Sequence, residues 1–513
     1  MRKQYEEVGK LLTEAYDAFD SSQDYKGVVV LPISTCAEVP DHRLPWHTQV
    51  YKNLTVEEKL NLEIRKFHEH VRPEPDERVA RRHVIAQVRE HVRKYLPEYV
   101  LEVFGSERTG LSFAQSDIDL RLAPANLYQE STEVWLPPTF KQRYQMRRNL
   151  QKLRMRLTSD CNDSYLLPTM RWARYPLISL QDRASGLDIQ IVLSNDTALS
   201  RQFVQRYMEE YPYLDQVYSV VKATLDVRGL SDVFRGGVGS YPLFMMVVAS
   251  LKHRPSIRND AAGALLNFLD FWGNFDSSKQ GLSIEPLEYL AKNNPIMSGA
   301  TMDNIEKGRI TPLPPWMLNL RDPADETNDL GRKIVAWKHI KATFKSLSKM
   351  LRKDMEANSR HSLLGRFARS IYPLQLAHRE RLRQYGRELS RADREYTPSK
   401  ISLEAAEGVD TMTEDADPIT EEQQLPDRME LDAIAKSIRK VSFPRVRVVS
   451  SNRIPTANAE AVSKAYESAN KQSVADADKR INIWLKDIEE ASEHKQTGES
   501  FANILGLNKK ANK

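Results

Sequence analysis

The sequence predicts an α+β fold in which a mixed β-sheet with helices is joined to a mostly helical domain. Three observations support this prediction. Apolar residues recur at helical spacing from 55 to about 95, and short apolar runs typical of strands follow between 98 and 193. Helical spacing then returns from 199 to about 351. At 513 residues the chain is long enough for roughly two to four domains, or for domains with tails.

Two helices are predicted before the first strand. The first covers 55–71 and is interrupted by the closely spaced Pro73 and Pro75. The second begins near Asp76, a candidate N-cap, and ends before Pro97.

A strand–loop–strand unit is predicted next. The β-rich run EYVLEVF ends at a turn formed by Gly105 and Ser106, and SDIDLRLA continues as a strand. A basic helix is expected from 139 to 157, followed by a β-like run from 168 to 180. The run LDIQIVLS is then typical of a buried strand.

The composition excludes several classes of protein. Cys36 and Cys161 are the only cysteines, and they form no Cys-x-x-Cys pair, which argues against a disulfide framework or a structural zinc site. The first residues lack the apolar core of a secretory signal, and the strongly apolar stretch 241–251 is about half of a membrane span. We therefore expect a soluble protein with no membrane association.

The net charge is small, because 75 Lys and Arg face 70 Asp and Glu, giving +5. Any affinity for nucleic acid must therefore depend on where the charges lie. The stretch 141–156 has seven basic residues and no acidic one, which predicts either guidance of RNA phosphates or a solvated helix face. The eight arginines within 366–394 predict an RNA site, a protein-docking site or a salt-bridged helix.

Three aspartates carry the predicted chemistry. Asp117 and Asp119 are two residues apart, so on a strand they project from one face about 7 Å apart. Asp188 begins the later apolar strand, and pairing of the two strands would bring all three carboxylates together. The small residues Gly105 and Ser106 would let backbone N–H groups approach a phosphate. The carboxylates are candidate ligands for two Mg²⁺ or Mn²⁺ ions that serve phosphoryl transfer.

An Asp-x-Asp pair alone is common on exposed strand edges, so the surrounding pattern decides its meaning. The Gly-Ser pair, a ten-residue gap, Asp-Ile-Asp and a later Asp among apolar residues resemble the DNA polymerase β-like nucleotidyltransferase superfamily. The segments PWHTQVYKNLTVEEKLNLEIRKF, VVKATLDVRGLSDVFRGGVGSYPLFMMV, ALLNFLDFWGNFD and LRDPADETNDLGR then occur in the order seen in non-canonical poly(A) polymerases. Over about 45–345 the chain is similar to the catalytic subunits of TRAMP-type polyadenylation complexes.

The resemblance implies further residues of a nucleotide site. Lys222 would reach the triphosphate, Ser240 would hydrogen-bond a phosphate, and Tyr241 would stack against the base. Asn328 and Asp329 occupy the segment that resembles the nucleotide-recognition loop, where uridylate-adding relatives place a histidine; Asn offers a donor and an acceptor to adenine. The structural alternatives are a solvated helix face for Lys222, a core aromatic for Tyr241 and a generic turn for the Asn-Asp pair.

The sequence departs from the family pattern at two places, the basic stretch 141–156 and the segment after LDIQIVLSN, and no ribose-contacting residue is predicted. The sequence reads SRQF where some relatives place an asparagine near the 2′-hydroxyl. The expected organisation is an N-terminal extension (1–45), a helical segment joining the central domain (46–80), a nucleotidyltransferase palm (81–198), a helical central or PAP-associated domain (199–350), an Arg-rich helical extension (351–395) and a charged, disordered tail (396–513).

The predicted function is template-independent adenylyl transfer to RNA 3′ ends, with ATP as substrate and nuclear RNAs tailed for processing or exosome decay. A terminal uridylyltransferase and an inactive RNA-binding scaffold are the alternatives, although a scaffold gains nothing from clustered negative charge beside RNA. The resemblance implies a zinc-knuckle RNA-binding protein and an RNA helicase as partners, with the nuclear exosome as an indirect one. A nuclear or nucleolar location is expected, with the cytoplasm as the alternative.

Overall fold

The computed structural model describes residues 2–33, 39–47, 54–125, 140–171, 175–193, 198–256, 258–293, 296–309 and 311–396. Its helices are α1 (Arg2–Asp20), α2 (Val56–Val71), α3 (Pro75–Tyr95), α4 (Gly105–Thr109), α5 (Phe140–Ser159), α6 (Ala198–Glu210), α7 (Leu214–Asp226), α8 (Ser240–His253), α9 (Ala261–Asn274), α10 (Gly299–Glu306), α11 (Trp337–Ala357), α12 (Gly365–Ala368) and α13 (Ile371–Tyr396). Its strands are β1 (Tyr99–Val103), β2 (Ile118–Pro124), β3 (Tyr165–Arg171), β4 (Leu177–Asp182), β5 (Asp188–Val192), β6 (Gln280–Ser283), β7 (Glu288–Ala291), β8 (Leu320–Asp322) and β9 (Asp325–Asp329). The α+β fold class is confirmed.

The first sheet has the strand order β1-β2-β5-β4-β3. Strands β2 and β5 are parallel, and the other neighbours are antiparallel, so the sheet is mixed as predicted. The register pairs Ile118 with Ile189 and Asp119 with Gln190. Asp117 and Asp188 each directly precede the first of these paired residues. The predicted pairing of the two aspartate-bearing strands is therefore confirmed.

The β-like run predicted from 168 to 180 forms parts of two strands, β3 and β4, which pair as an antiparallel hairpin, so its β character is confirmed. Two details in this part of the chain are wrong. The Gly105-Ser106 pair begins helix α4 instead of a simple turn. Helix α3 begins at Pro75, near the predicted start, but its N-cap is Glu74 and not Asp76. Proline suits the first helical position because its φ is fixed and it has no N–H to leave unpaired. The Glu74 N–H donates to the Glu77 carboxylate at 2.8 Å, which closes the cap.

A second sheet, with the order β7-β6-β8-β9, lies in the region predicted to be mostly helical. Its strands have only three to five residues and include polar sequences such as DETND, so they carry no clear alternation of apolar residues. Asn328 and Asp329 end strand β9 and do not lie in a loop.

Two large hydrophobic clusters and a small third one, which includes Trp316, form the core of the described residues. The first joins the N-terminal segment, α2, and the helices from α6 onward; Val30, Phe67 and Phe244 are among its buried members. The second lies under the first sheet and includes Val88 of α3 and Ile189 of β5. The chain therefore contributes to the first cluster both before and after the segment that builds the second.

Helix α13 contacts both large clusters. Ile371, at its beginning, belongs to the first cluster, and Leu382 belongs to the second. The predicted domain boundaries stay predictions, and the tail from 397 onward lies outside the described residues. Among the described helices, none combines the length and apolar character needed to cross a membrane.

Candidate active site

The aspartates of β2 and β5 lie at one edge of the first sheet, and each of two carboxylates accepts a hydrogen bond from a neighbouring glutamine. The Gln190 amide donates to Asp117 at 2.7 Å, and the Gln181 amide donates to Asp188 at 3.1 Å. Gln181 and Gln190 lie on β4 and β5, so the sheet itself orients the carboxylates. Sequence reasoning missed both glutamines, because only the strand register shows what they face.

The three carboxylates repel each other. Burial raises the pKa of Asp119 to about 7, and the Asp117 charge adds to the effect, although Arg81 and Lys222 oppose it. Burial and the Asp117 charge also raise the pKa of Asp188. A cluster in which ionisation is costly favours bound cations.

Carboxylate oxygens are the ligands that Mg²⁺ and Mn²⁺ prefer, so the donor set fits the predicted ions. Within the described ranges, no three acidic, His or Cys side chains are gathered closely enough to hold an ion as they stand. The metal-ligand roles of the three aspartates stay predictions, with Asp117, Asp119 and Asp188 as the residues that would hold the ions.

Gly105 packs directly against Asp119. Its φ is +64°, a left-handed conformation that side chains disfavour, and a Cβ at this position would lie 2.3 Å from Asp119 Oδ2. The Phe104 N–H also donates to the Asp119 carbonyl at 3.0 Å. The Gly-Ser pair therefore places the start of α4 against β2, the strand that carries Asp119. Ser106 lies in the first turn of α4, where its carbonyl accepts from the Leu111 N–H.

Replacing Gly105 by Ala is expected to lower the turnover number by about 10²-fold, because the new methyl group must displace the Asp119 carboxylate. Gly110 provides a matched control. It has a similar φ of +74°, but a Cβ there would meet no atom within 4 Å. Gly110→Ala should share the backbone strain and keep most of the activity. Equal losses in the two variants would mean that strain, and not the contact with Asp119, causes the defect.

Arg81 of α3 is a further residue that sequence reasoning missed. Its side chain is 1% exposed and pairs with Glu107 of α4 at 2.6 Å. It also donates to the carbonyls of Ala114 and Ser116, at 3.0 and 2.8 Å, immediately before Asp117. This one guanidinium therefore ties α4 to the segment that leads into β2. Arginine supplies the several donors in a fixed geometry that such a junction needs.

Lys222 of α7 faces the aspartates from the helical side. Its ammonium lies 3.4 Å from Asp226 and 5.4 Å from the centre of the Phe113 ring. Burial acts to lower the pKa of Lys222, but Asp226, Tyr218 and Asp117 outweigh burial and raise it to about 12. A permanently charged ammonium beside the carboxylates is well placed to meet a triphosphate.

Ser240 is the first residue of α8 and is exposed to solvent, with Gly239 as the N-cap. Its neighbour in space is the buried Tyr218; burial raises the pKa of Tyr218, whereas Lys222 and Ser240 act in the opposite direction. The start of α8 thus lies close to Lys222. The N–H groups at the beginning of a helix favour an anion.

Tyr241 and Asn328 are joined through Asp322, which sequence reasoning did not identify. The Tyr241 hydroxyl donates to one oxygen of Asp322, and the Asn328 amide donates to the other, each at 2.8 Å. Burial and the Asp322 charge raise the pKa of Tyr241, so the hydroxyl remains protonated. The carboxylate therefore fixes two predicted nucleotide contacts relative to each other.

The Asp329 carboxylate binds other residues of the protein. It accepts from the N–H groups of Leu320 and Gly331, at 3.0 and 2.9 Å, and from the Asn319 amide. These bonds use both oxygens and stabilise β8 and β9. Nucleotide contact by Asn328 and Asp329 stays a prediction.

Comparisons with known proteins agree with this architecture. Residues 60–207 match the family described as the central palm domain of mitochondrial-like poly(A) RNA polymerase. The chain is 25% identical over 345 residues to poly(A) RNA polymerase cid14 of Schizosaccharomyces pombe, a stretch that covers 66% of this chain and 46% of that protein. The chain thus spans less than half the length of this relative.

Two further comparisons differ in what they show. The chain is 26% identical over 310 residues to the inactive non-canonical poly(A) RNA polymerase protein Trf4-2 of Drosophila melanogaster, covering 58% of this chain and 70% of that one. The solved structure of the polymerase core of TRAMP, an RNA surveillance complex, has a TM-score of 0.52 at 23% identity and covers 63% of this chain and 99% of that chain. This last likeness shows a shared fold.

Proposed function

We propose that this chain, a homologue of the non-canonical poly(A) RNA polymerases, adds adenylates to the 3′ end of RNA with ATP and two divalent cations. The observation that carries the proposal is the arrangement of Lys222. Its charge interacts with Asp117 and Asp119 on one side, and Tyr218 beside it leads to Ser240 at the start of α8 on the other. Carboxylates, a cation suited to phosphate and the start of the helix that carries the Tyr241 ring thus follow one another in space.

The roles of the residues follow from this order. The N–H groups at the beginning of α8 and the Lys222 ammonium would hold the phosphates, and the Tyr241 ring would support the base. Divalent cations held by the aspartates would supply activation of the 3′-hydroxyl and neutralisation of the leaving pyrophosphate. Asp188, the exposed member of the three, faces the solvent from which the RNA 3′ end enters.

The Asn328 side chain offers both an acceptor and a donor to a base. One N–H of its amide donates to Asp322, which leaves the amide oxygen and the second N–H. Adenine can use both through its amino group and N1, and uracil can use both through N3–H and O4, so Asn328 alone does not select the base. The choice of ATP as the proposed substrate rests on the likeness to relatives named poly(A) RNA polymerases.

The test is nucleotide addition by the purified chain. A labelled oligoadenylate primer is incubated with Mg²⁺ and each of the four nucleoside triphosphates in separate reactions, and then with all four in competition. We expect extension with ATP. Extension with UTP alone would identify the reaction as uridylyl transfer and leave the proposed two-metal mechanism unchanged. No extension with any nucleotide, even after a zinc-knuckle RNA-binding protein is added, would favour an inactive scaffold.

The proposal extends to partners and location through the relatives. A zinc-knuckle RNA-binding protein and an RNA helicase would select the RNA, and the nuclear exosome would act on the tailed product. A nuclear location fits that role. Copurification of the full chain from nuclear and cytoplasmic fractions, with the bound RNAs sequenced, would test these points together.

A further inference from the structure

Helix α13 reaches the catalytic edge of the first sheet and contacts the chain just before two of the aspartates. On the β2 side, the Gln115 amide donates to the Gln375 carbonyl of α13 at 2.8 Å. Gln115 lies two residues before Asp117. This hydrogen bond therefore connects α13 to the segment that leads into β2.

On the β5 side, Arg381 of α13 binds the turn that connects β4 and β5. Its Nε donates to the Ala184 carbonyl at 3.0 Å, and its Nη2 donates to the Arg183 carbonyl. Gly186, in the same turn, has a φ of +77°, and a Cβ there would lie 3.2 Å from Arg381 Nη1. Asp188 follows two residues later.

Hydrogen bonds within the β4–β5 turn also stabilise it. Both the N–H and the hydroxyl of Ser185 donate to Asp182 at 2.7 Å, and the Gly186 N–H donates to the Asp182 carbonyl. The sheet side of the turn is anchored as well, because the Arg183 N–H donates to the Ser164 carbonyl at 2.8 Å. Arg381 adds two bonds from α13, on the side of the turn away from this anchor.

We propose that Arg381 is a positioning residue for nucleotidyl transfer, which holds the β4–β5 turn so that Asp188 stays aligned with Asp117 and Asp119. The proposal rests on the function proposed above. On sequence grounds, the arginines of α13 could bind RNA or a partner protein. The proposal instead assigns one of them, Arg381, a role within this chain. A displacement of about 1 Å in a catalytic group can cost roughly 10²-fold in rate, so a modest shift of the turn is sufficient.

Arg383 offers a matched control on the same helix. Its guanidinium pairs with Glu74 and Glu380, at 3.2 and 3.0 Å, and these partners lie away from the catalytic strands. Arg381→Ala and Arg383→Ala each remove one positive charge from α13. Arg381→Lys keeps the charge but loses the two-pronged geometry that reaches both carbonyls.

The experiment compares these three variants of the full chain in primer extension with ATP. We expect Arg381→Ala and Arg381→Lys to lower kcat by about 10- to 100-fold with less than a threefold change in KM for ATP, because the nucleotide contacts lie on α7, α8 and β9. Arg383→Ala should keep kcat within twofold of the parent. Parental kcat in either Arg381 variant, or equal losses in Arg381→Ala and Arg383→Ala, would overturn the proposal.

A second readout does not depend on turnover. Binding of Mn²⁺ to the chain without nucleotide is followed by electron paramagnetic resonance. Misaligned carboxylates should weaken Mn²⁺ binding by about tenfold in Arg381→Ala and leave it unchanged in Arg383→Ala. A parent chain that binds Mn²⁺ but adds no nucleotide would count against the proposed function and still test the role of Arg381. Equal Mn²⁺ affinity in the parent and Arg381→Ala would count against that role.

Discussion

Replacing Asp119 by Asn is expected to reduce nucleotide addition by at least about 10³-fold, since loss of a shared metal ligand removes several kcal/mol of transition-state stabilisation. The variant should nevertheless fold as well as the parent. Asn has nearly the same shape as Asp and carries no charge to be repelled by Asp117. Primer extension with ATP measures the first effect, and thermal unfolding without metal measures the second.

The pH dependence of that stability has a definite sign. The pKa of Asp119 is raised to about 7 in the folded chain from an ordinary value of 3.8, so the folded chain binds this proton more tightly than the unfolded chain does. Ionising Asp119 therefore costs stability, and the cost grows as the pH rises from about 4 to about 7. Metal-free Asp119→Asn should match the parent at low pH and be the more stable chain above pH 7.

The control for this experiment is Asp163→Asn, which removes an exposed carboxylate from the same part of the chain. It should change neither activity nor unfolding temperature. If Asp119→Asn kept more than a tenth of the parental activity, the two-metal mechanism would not hold for this chain. If it unfolded at a much lower temperature at pH 8, Asp119 would have a structural role instead.

Replacing Arg379 by Met is expected to lower the free energy of unfolding by about 3–5 kcal/mol, the usual cost of leaving one partner of a buried ion pair without the other. Arg379 is 2% exposed and Glu77 is fully buried; the pair is joined by two bonds of 2.8 Å. The guanidinium also donates to the carbonyls of His70 and Arg72, where α2 gives way to α3.

Urea unfolding and hydrogen exchange along α13 would measure this loss. A double variant, Arg379→Met with Glu77→Gln, leaves no unpaired charge and should recover part of the stability. Arg383→Ala, with partly exposed partners, should cost no more than about 1 kcal/mol. A loss in Arg379→Met no larger than that of Arg383→Ala would show that α13 is not held by the buried pair.

The sequence predicted helices and strands correctly where residues close together in the chain also lie on the same face of a helix or strand. Helix α2 and the aspartate-bearing strands follow from the spacing of their apolar residues, and two carboxylates two residues apart must share a face. Prediction from the sequence failed for short strands that lack an alternation of apolar residues, as in β8 and β9, and β8 also gains a parallel partner, β6, from an earlier part of the chain. It also assigned the wrong N-cap to α3, because Asp is a preferred N-cap by residue type and Glu is not, yet Glu74 caps this helix.

The supporting residues of the site could not be predicted for a related reason. Arg81, Gln190 and Asp322 belong to common residue types, and nothing nearby in the sequence distinguishes them. Each becomes meaningful only through a partner that the fold brings to it, such as Asp117 for Gln190. Asp329 shows the converse, because a residue in a recognised motif proved to brace the backbone.

The first hydrophobic cluster is built from parts of the chain that are far apart in sequence, and this affects how the chain folds while it is being synthesised. Helix α2, with Phe67, packs on α7 and α9, whereas most of the segment between them builds the cluster under the first sheet. On the ribosome, the face of α2 that α7 and α9 cover must therefore stay open while the sheet is made. At roughly 5–20 residues per second this interval is on the order of ten seconds. A nascent chain stalled before α6 should form the strands of its first sheet, lack the bonds from Arg381 to the β4–β5 turn, and still expose α2 to a chaperone.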